Sequence, residues 1–302
     1  MTRRDWQNLG KGLAFISPWL VGFAVFTALP IGMSLYYSLC DYALLKEPVF
    51  IGLGNYRELI WERDPLGQVG DPIFWKALSN TGRYALMALP AAMMVSLGLA
   101  LMLNVKLKSQ VVYRTIIFLP SLVPLVAGAI VWLWLFNGSH GLINSLLRLV
   151  GLEGPNWLGD QAWALPSLAL MSLWSVGHTV IIYLAGLQDV PTELYEAAEI
   201  DGAGVWRRLW HVTIPMLSPV IFFNLIMAII GTLQVFAGPY IMTQGGPARA
   251  TYFYTMYLYD SAFMNLRMGY ASAMAWIQLL IVLFLTGIAF WTSKRWVHYQ
   301  GK

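Results

Sequence analysis

Five of the chain's fifteen acidic residues, Asp189, Glu193, Glu196, Glu199 and Asp201, fall between positions 189 and 201. Carboxylates at that density attract Arg and Lys, so the chemistry they offer is recognition of a basic surface. Nothing nearby turns them towards bond-making. The four histidines, His140, His178, His211 and His298, are scattered, and no Ser/His/Asp, Cys/His or metal-ligand grouping stands out. Cys40 is alone, which excludes an intrachain disulfide and a Cys-based metal site. No G-x-x-x-x-G-K-[ST] loop occurs, so the chain lacks that means of cradling nucleotide phosphates. We expect no enzymatic activity, no metal and no cofactor in the chain itself.

The elements that must hold this acidic segment are apolar. Hydrophobic residues make up 58% and charged residues 11% of the 302 positions, against roughly 45–50% and 25% in ordinary soluble domains. The net charge of +4 gives no reason to expect nucleic acid. A helix needs about 20 apolar residues to cross a bilayer, and six stretches qualify: 13–40, 77–103, 115–136, 165–187, 215–240 and 268–293. The expected architecture is therefore all-α and polytopic, six transmembrane helices in one membrane domain over 1–302. The first apolar run is too long for a signal-peptide core and is itself read as a span.

Six crossings put both termini on one side. That side holds Arg3, Arg4, Lys11, Lys106, Lys108, Arg114, Arg207, Arg208, Lys294, Arg295 and Lys302; the other holds Lys46, Arg57, Arg63, Lys76, Arg148, Arg249 and Arg267, spread over longer loops. The positive-inside rule places the termini in the cytoplasm. Arg83, the one charged residue inside a span, lies near its end and can snorkel to the interface. Trp75, Trp134, Trp163 and Trp291 sit near span ends, as an aromatic belt requires.

The acidic segment then lies in a cytoplasmic loop, 188–214. Facing an anionic leaflet it would anchor poorly; it suits a protein partner. Its sequence predicts a short helix with Pro191 at the first position, Glu193 and Glu196 near the positive dipole end, and Gly202 as the stop. Leu194, Ala197, Ala198 and Asp201 form a narrow face whose small centre admits close approach. On residue types alone, a docking helix and a solvated connector helix are both open.

Glu196-Ala197-Ala198, Gly202, Val212, Ile214 and Pro215 resemble the E-A-A-x3-G-x9-I-x-L-P loop of binding-protein-dependent ABC importer permeases, with Val for Ile and Ile for Leu. "LYEAAEIDGAGVWRRLWHVTIPMLSP" is similar to the carbohydrate branch (the maltose, trehalose and glycerol-phosphate type). "SPWLVGFAVFTALPIGMSLYYSLCDY", "FIGLGNYREL", "YRTIIFLPSLVPLVAGAIVWLWLFN" and "LQVFAGPYIMTQGGPARAT" extend the likeness over most of 12–295. The resemblance implies the transmembrane domain of a type I ABC importer that moves a sugar across a prokaryotic inner membrane. It implies a second homologous permease, two ATP-binding subunits carrying ATP and Mg, an extracytoplasmic solute-binding protein and surrounding lipid. Glu196, Ala197, Ala198 and Gly202 carry over as the ATPase-docking motif, with Asp201 and Arg207 as added polar contacts.

A proton- or sodium-driven carrier usually keeps Asp or Glu within its spans; these spans have none. Pro18, Pro30, Pro90, Pro120, Pro124, Pro166, Pro219, Gly231 and Gly238 are positions where the spans could bend. In the fifth span Asn224, Met227, Gly231, Gln234 and Gly238 fall on one arc of about 80° if the helix is continuous, either a path lining or a seam between helices. In the fourth, Trp174, Ser175 and His178 interrupt an apolar run, His178 being either functional or a neutral partner to a neighbouring helix. By depth and chemistry the expected substrate path is Trp174, His178, Asn224, Thr232 and Gln234. A permease for another solute (polyol phosphate, amino acid, peptide) and a self-sufficient channel or carrier are the alternatives.

Overall fold

The computed structural model describes residues 3–62, 69–105 and 109–298; Arg63, Lys106, Lys108 and Lys302 of the charge pattern lie outside them. The chain is helical almost throughout. In order come α1 (Arg3–Phe23), α2 (Leu29–Ser38), the strands β1 (Cys40–Asp41) and β2 (Val49–Phe50), α3 (Gly54–Ile60), α4 (Pro72–Leu103), α5 (Gln110–Phe118), α6 (Leu125–Leu135) and α7 (Leu142–Leu149). There follow α8 (Ala164–Ser172), α9 (Gly177–Gln188), α10 (Thr192–Ile200), α11 (Val205–Arg208), α12 (Ile214–Leu233), α13 (Ala237–Met242), α14 (Tyr254–Tyr259) and α15 (Met268–Ser293). The small antiparallel pair, Cys40 opposite Phe50 and Asp41 opposite Val49, is an addition to the all-α expectation.

Four continuous stretches are long and apolar enough to cross a membrane: Gly10–Ser38, Pro72–Leu103, Val205–Met242 and Met268–Ser293. The expected third and fourth spans are not single helices. Gln110–Leu122 meets Leu125–Leu135 at 97°, and Ala164–Ser175 meets Gly177–Gln188 at 51°. Counting each bent pair once gives six. The first break has a local cause: Val123 is extended (ψ 126) ahead of Pro124, as a residue before proline prefers. Within the segment 188–214 helix resumes at Val205 and runs on towards the fifth span.

Pro30 and Pro215 shape their helices without ending them. A proline has no N–H for the carbonyl four residues back, and its ring crowds that carbonyl. Ahead of Pro30 the turn Ala24–Ala28 widens to π geometry, Leu29 N–H reaching Ala24 O. Ahead of Pro215 the turn Leu209–Thr213 does the same, Ile214 N–H reaching Leu209 O.

Two compact units divide the chain. One takes residues up to Pro72 with Leu258–Leu279. There the Asn55 amide donates to Ser38 O and Cys40 O, both at 2.9 Å, Arg267 pairs with Glu58 at 2.6 Å, and the Tyr270 hydroxyl donates to Asp71 at 2.5 Å. The other takes Ile73–Tyr257 with Leu280–Lys302 and holds the acidic segment and the path residues. One of its cores gathers Tyr84, Ala88, Ala129, Phe136, Leu168 and Phe253; a second gathers Val176, Val180, Tyr183, Leu184, Leu187 and Leu217, where α9 packs on α12.

Candidate functional site

The acidic segment is a helical hairpin. α10 starts one residue later than expected: Pro191 is its N-cap, in extended geometry (ψ 130), and Thr192 its first helical residue. Extended geometry at Pro191 turns the chain out of α9 before the new helix begins. At the other end Gly202 has φ +74, the left-handed region that costs an L side chain roughly 1–2 kcal/mol. Two bonds close that end, Ala203 N–H to Ala198 O at 2.8 Å and Gly202 N–H to Glu199 O at 3.0 Å, the pair that defines a Schellman termination.

Beyond the turn, α11 folds back and is tied to α10 by an ion pair between Arg208 and Glu199. The Tyr195 hydroxyl meets that of Thr213 at 3.1 Å. Glu199 is therefore an internal clasp, while Glu196, Ala197, Asp201, Gly202 and Arg207 stay exposed and Ala198 is half-buried. The apolar residues beside them are exposed as well, Ile200 at 87%, Trp206 at 75% and Trp210 at 62%. An exposed apolar group amid carboxylates is the composition of a contact surface. Sequence reasoning missed both the Arg208 clasp and the Tyr195–Thr213 contact, because none of these residues occupies a fixed position of the motif.

The expected path residues separate. Trp174 and Gln234 line a common cavity of about 440 Å³, together with Tyr84, Ser172, Ser175 and Phe236. No side chain on its lining carries a charge. Trp174 is held edge-on by Trp132, centroids 6.2 Å apart. The hydroxyls of Ser172 and Ser175 donate to backbone, to Ala169 O at 2.6 Å and Ser172 O at 3.2 Å; Ser172 also meets the Tyr84 hydroxyl, and the Ser175 lone pairs are left as acceptors. The exposed Gln234 amide has both its donors and its acceptor for a ligand.

The other three lie elsewhere. His178 is exposed and sits against the Phe118 ring, centroids 5.7 Å apart. Asn224 is buried, its amide bent back to Val220 O at 3.1 Å beside Tyr183. Thr232 bonds Ala228 O at 2.7 Å and faces a separate apolar groove with Leu225, Ile229, Leu285 and Ile288. The arc that joined Asn224 to Gln234 presumed one helix through Gly238. In fact α12 ends at Leu233 and α13 starts at Ala237, so Gln234 and Gly238 lie past the break, while Met227 and Gly231 are exposed on α12.

Pro239 explains the break. It cannot donate to Val235 O, and the Thr255 hydroxyl donates there instead, so the freed carbonyl stays satisfied as an apolar surrounding demands. On the opposite wall, the bend at Leu173–Ser175 is followed by Gly177. A Cβ there would meet Ile117 O at 2.6 Å and Phe118 Cα at 2.9 Å, so only glycine lets α9 approach α5 this closely. One wall of the cavity is thus a bend and the other a short interruption between α12 and α13.

Both connect to the hairpin. From Ser175 the chain enters α9, which ends at Gln188 just before α10; from the end of the hairpin, α12 leads to Gln234. One exposed segment stands at the foot of two struts, each ending in a cavity wall.

A family model described as "Binding-protein-dependent transport system inner membrane component" matches residues 76–298, an interval that contains the hairpin, both struts and the cavity. The chain belongs to this family. Among curated relatives, the permease is 41% identical to "Probable ABC transporter permease protein YesP" of Bacillus subtilis (strain 168) over 96% of this chain and 93% of that one. It is 36% identical to "Lactose transport system permease protein LacF" of Rhizobium radiobacter, over 94% of each. A crystal structure of a bacterial ABC transporter involved in import of the acidic polysaccharide alginate matches with a TM-score of 0.81 at 24% identity, over 97% of this permease and 99% of that chain. The fold is that of an ABC importer transmembrane domain.

Proposed function

We propose that this permease carries a neutral sugar through the cavity between Trp174 and Gln234, driven by ATP hydrolysed in partner subunits. The observation that carries the reading is the two-strut connection: the exposed Glu196–Gly202 hairpin is joined by α9 to the Trp174 wall and by α12 to the Gln234 wall. Movement imposed on the hairpin reaches both walls. The lining supports an uncharged solute, because it offers aromatic faces, hydroxyl lone pairs and one amide, with no cation or anion. A sugar ring has apolar faces to stack and hydroxyls to bond. The lactose system named for one relative is in keeping with that chemistry.

The partners follow from what the chain lacks and what it exposes. ATP and Mg belong to two ATP-binding subunits that dock on Glu196, Ala197, Ala198, Asp201, Gly202 and Arg207. A second homologous permease completes the membrane pair, and an extracytoplasmic solute-binding protein delivers the sugar. Both termini lie in the cytoplasm of a prokaryotic cell. In the transport step the sugar leaves its binding protein, stacks on Trp174 and bonds Gln234, and is released when the hairpin's return bends the walls apart.

The test is reconstitution of the assembled transporter in vesicles with its binding protein, ATP inside and a panel of neutral and acidic oligosaccharides outside. We expect ATP hydrolysis to rise with one neutral sugar and uptake to follow. Stimulation by an anionic sugar in place of neutral ones would overturn the choice of solute. Uptake without ATP would overturn the energy source.

A further inference from the structure

Near one end of α4, sharing no residue with the cavity or the hairpin, Lys76 and Arg83 line a single groove of about 520 Å³, within the roughly 300–1,000 Å³ usual for small-molecule sites. They stand seven residues apart, on one face of the helix, with Asn80 between them. Asn80 is buried and fixes the far wall: its amide donates to Arg249 O at 2.7 Å and Tyr252 O at 3.1 Å. Gln161, Leu165 and Pro166 close the groove from the first turn of α8 and the residues before it. Neither cation has a hydrogen bond or ion pair to another described residue, and no carboxylate lines the groove.

Depth decides the ligand. Arg83 lies about 10 Å further along the helix than Lys76, at about 1.5 Å per residue, inside the apolar stretch that begins at residue 77. The next turn exposes Leu86 and Met87, the latter two of the groove's own residues. A water-borne anion would meet Lys76 first and gain nothing from that apolar floor. A phosphate at the head of an acyl chain meets both: the long stems of Lys76 and Arg83 converge on its charge over Asn80, and Leu86 and Met87 receive the chain below. We infer that this groove binds the phosphate headgroup of an anionic phospholipid, with Lys76 and Arg83 as its charge partners and Gln161 as a further donor.

The experiment uses the assembled transporter, purified in mild detergent, depleted of lipid and retitrated while bound lipid is counted by native mass spectrometry. The probes are phosphatidylglycerol, phosphatidylcholine and inorganic phosphate. The wild type is expected to bind phosphatidylglycerol more tightly than a K76Q/R83Q double variant by up to roughly 30-fold, taking about 1 kcal/mol for each of two exposed ion pairs. Phosphatidylcholine should bind both alike, and R83K should retain the preference. Equal phosphatidylglycerol binding by wild type and double variant would overturn the inference, whether the groove is empty or another subunit fills it. Displacement of phosphatidylglycerol by millimolar inorganic phosphate would overturn the lipid assignment. Should the double variant fail to assemble, K76Q and R83Q tested singly are each expected to lose up to about fivefold. None of these readouts depends on which sugar is carried.

Discussion

The hairpin and the cavity lie at opposite ends of the same two struts and are built in opposite ways. The hairpin is continuous in sequence, from Pro191 to Arg208, and presents what it is made of: exposed carboxylates, small residues and a glycine at φ +74. The cavity draws Tyr84, Ser172, Trp174, Gln234 and Phe236 from three separate stretches, and its walls are interruptions of helices. A surface that meets a protein partner can be spelled in one run of residues. A passage that must open needs bends, and bends are set by contacts distant in sequence.

That contrast can be broken or sharpened by substitution. The largest effect belongs to Gly202. Valine at a left-handed position costs roughly 1–2 kcal/mol and opens the Schellman end, so uptake by the reconstituted transporter should fall about 5- to 30-fold while the chain remains inserted and assembled. Undiminished uptake by Gly202→Val would remove the hairpin from the coupling path. Next comes Gln234→Leu. Losing one neutral hydrogen bond to the solute is worth about 0.5–1.5 kcal/mol, so half-maximal uptake should need about 2- to 12-fold more sugar with the maximal rate little changed.

Glu199→Gln should act more weakly. An ion pair whose carboxylate is 64% exposed contributes about 0.2–1 kcal/mol and is screened by salt. Uptake should therefore drop by up to about fivefold at low ionic strength, and the gap from wild type should shrink as salt rises. A loss that salt leaves untouched would assign Glu199 to the partner and not to Arg208. The smallest effect is expected from Thr232→Val, within about twofold, because its hydroxyl is spent on its own helix and, by area, a methyl for a hydroxyl leaves the groove's packing intact. If it changed sugar affinity as much as Gln234→Leu, the cavity would have to extend to the groove beside Leu225.

The same contrast explains what was legible beforehand. Six apolar stretches and the Glu196–Gly202 motif are written in consecutive residues, and both could be read directly. Trp174 and Gln234 were reached by depth and side-chain chemistry. Thr232 and His178 were grouped with them by the same depth and chemistry, which does not tell which way a side chain faces, and Asn224 by a helical arc carried across a break. The signal for the break was present: Pro239 forbids a bond to Val235 O. What sequence could not supply was Thr255, whose hydroxyl makes that carbonyl tolerable and so lets the helix stop there. Tyr84 and Phe236 were missed for a related reason. Nothing local distinguishes an aromatic that faces a cavity from one that faces lipid.

The π turn at Leu209–Thr213 gives the spacing of the motif a further meaning. Such a turn holds one residue more than an α-turn, and one residue is about 100° of azimuth and about 1.5 Å of advance along a helix. Since this turn stands between Gly202 and Pro215, deleting one residue within it would swing the face that carries Glu196 and Asp201 about a quarter-circle away from its present bearing on Gln234. The nine residues between Gly202 and Val212 are in that sense a compass setting: their number fixes the direction in which the docking helix looks when the wall it controls is in place.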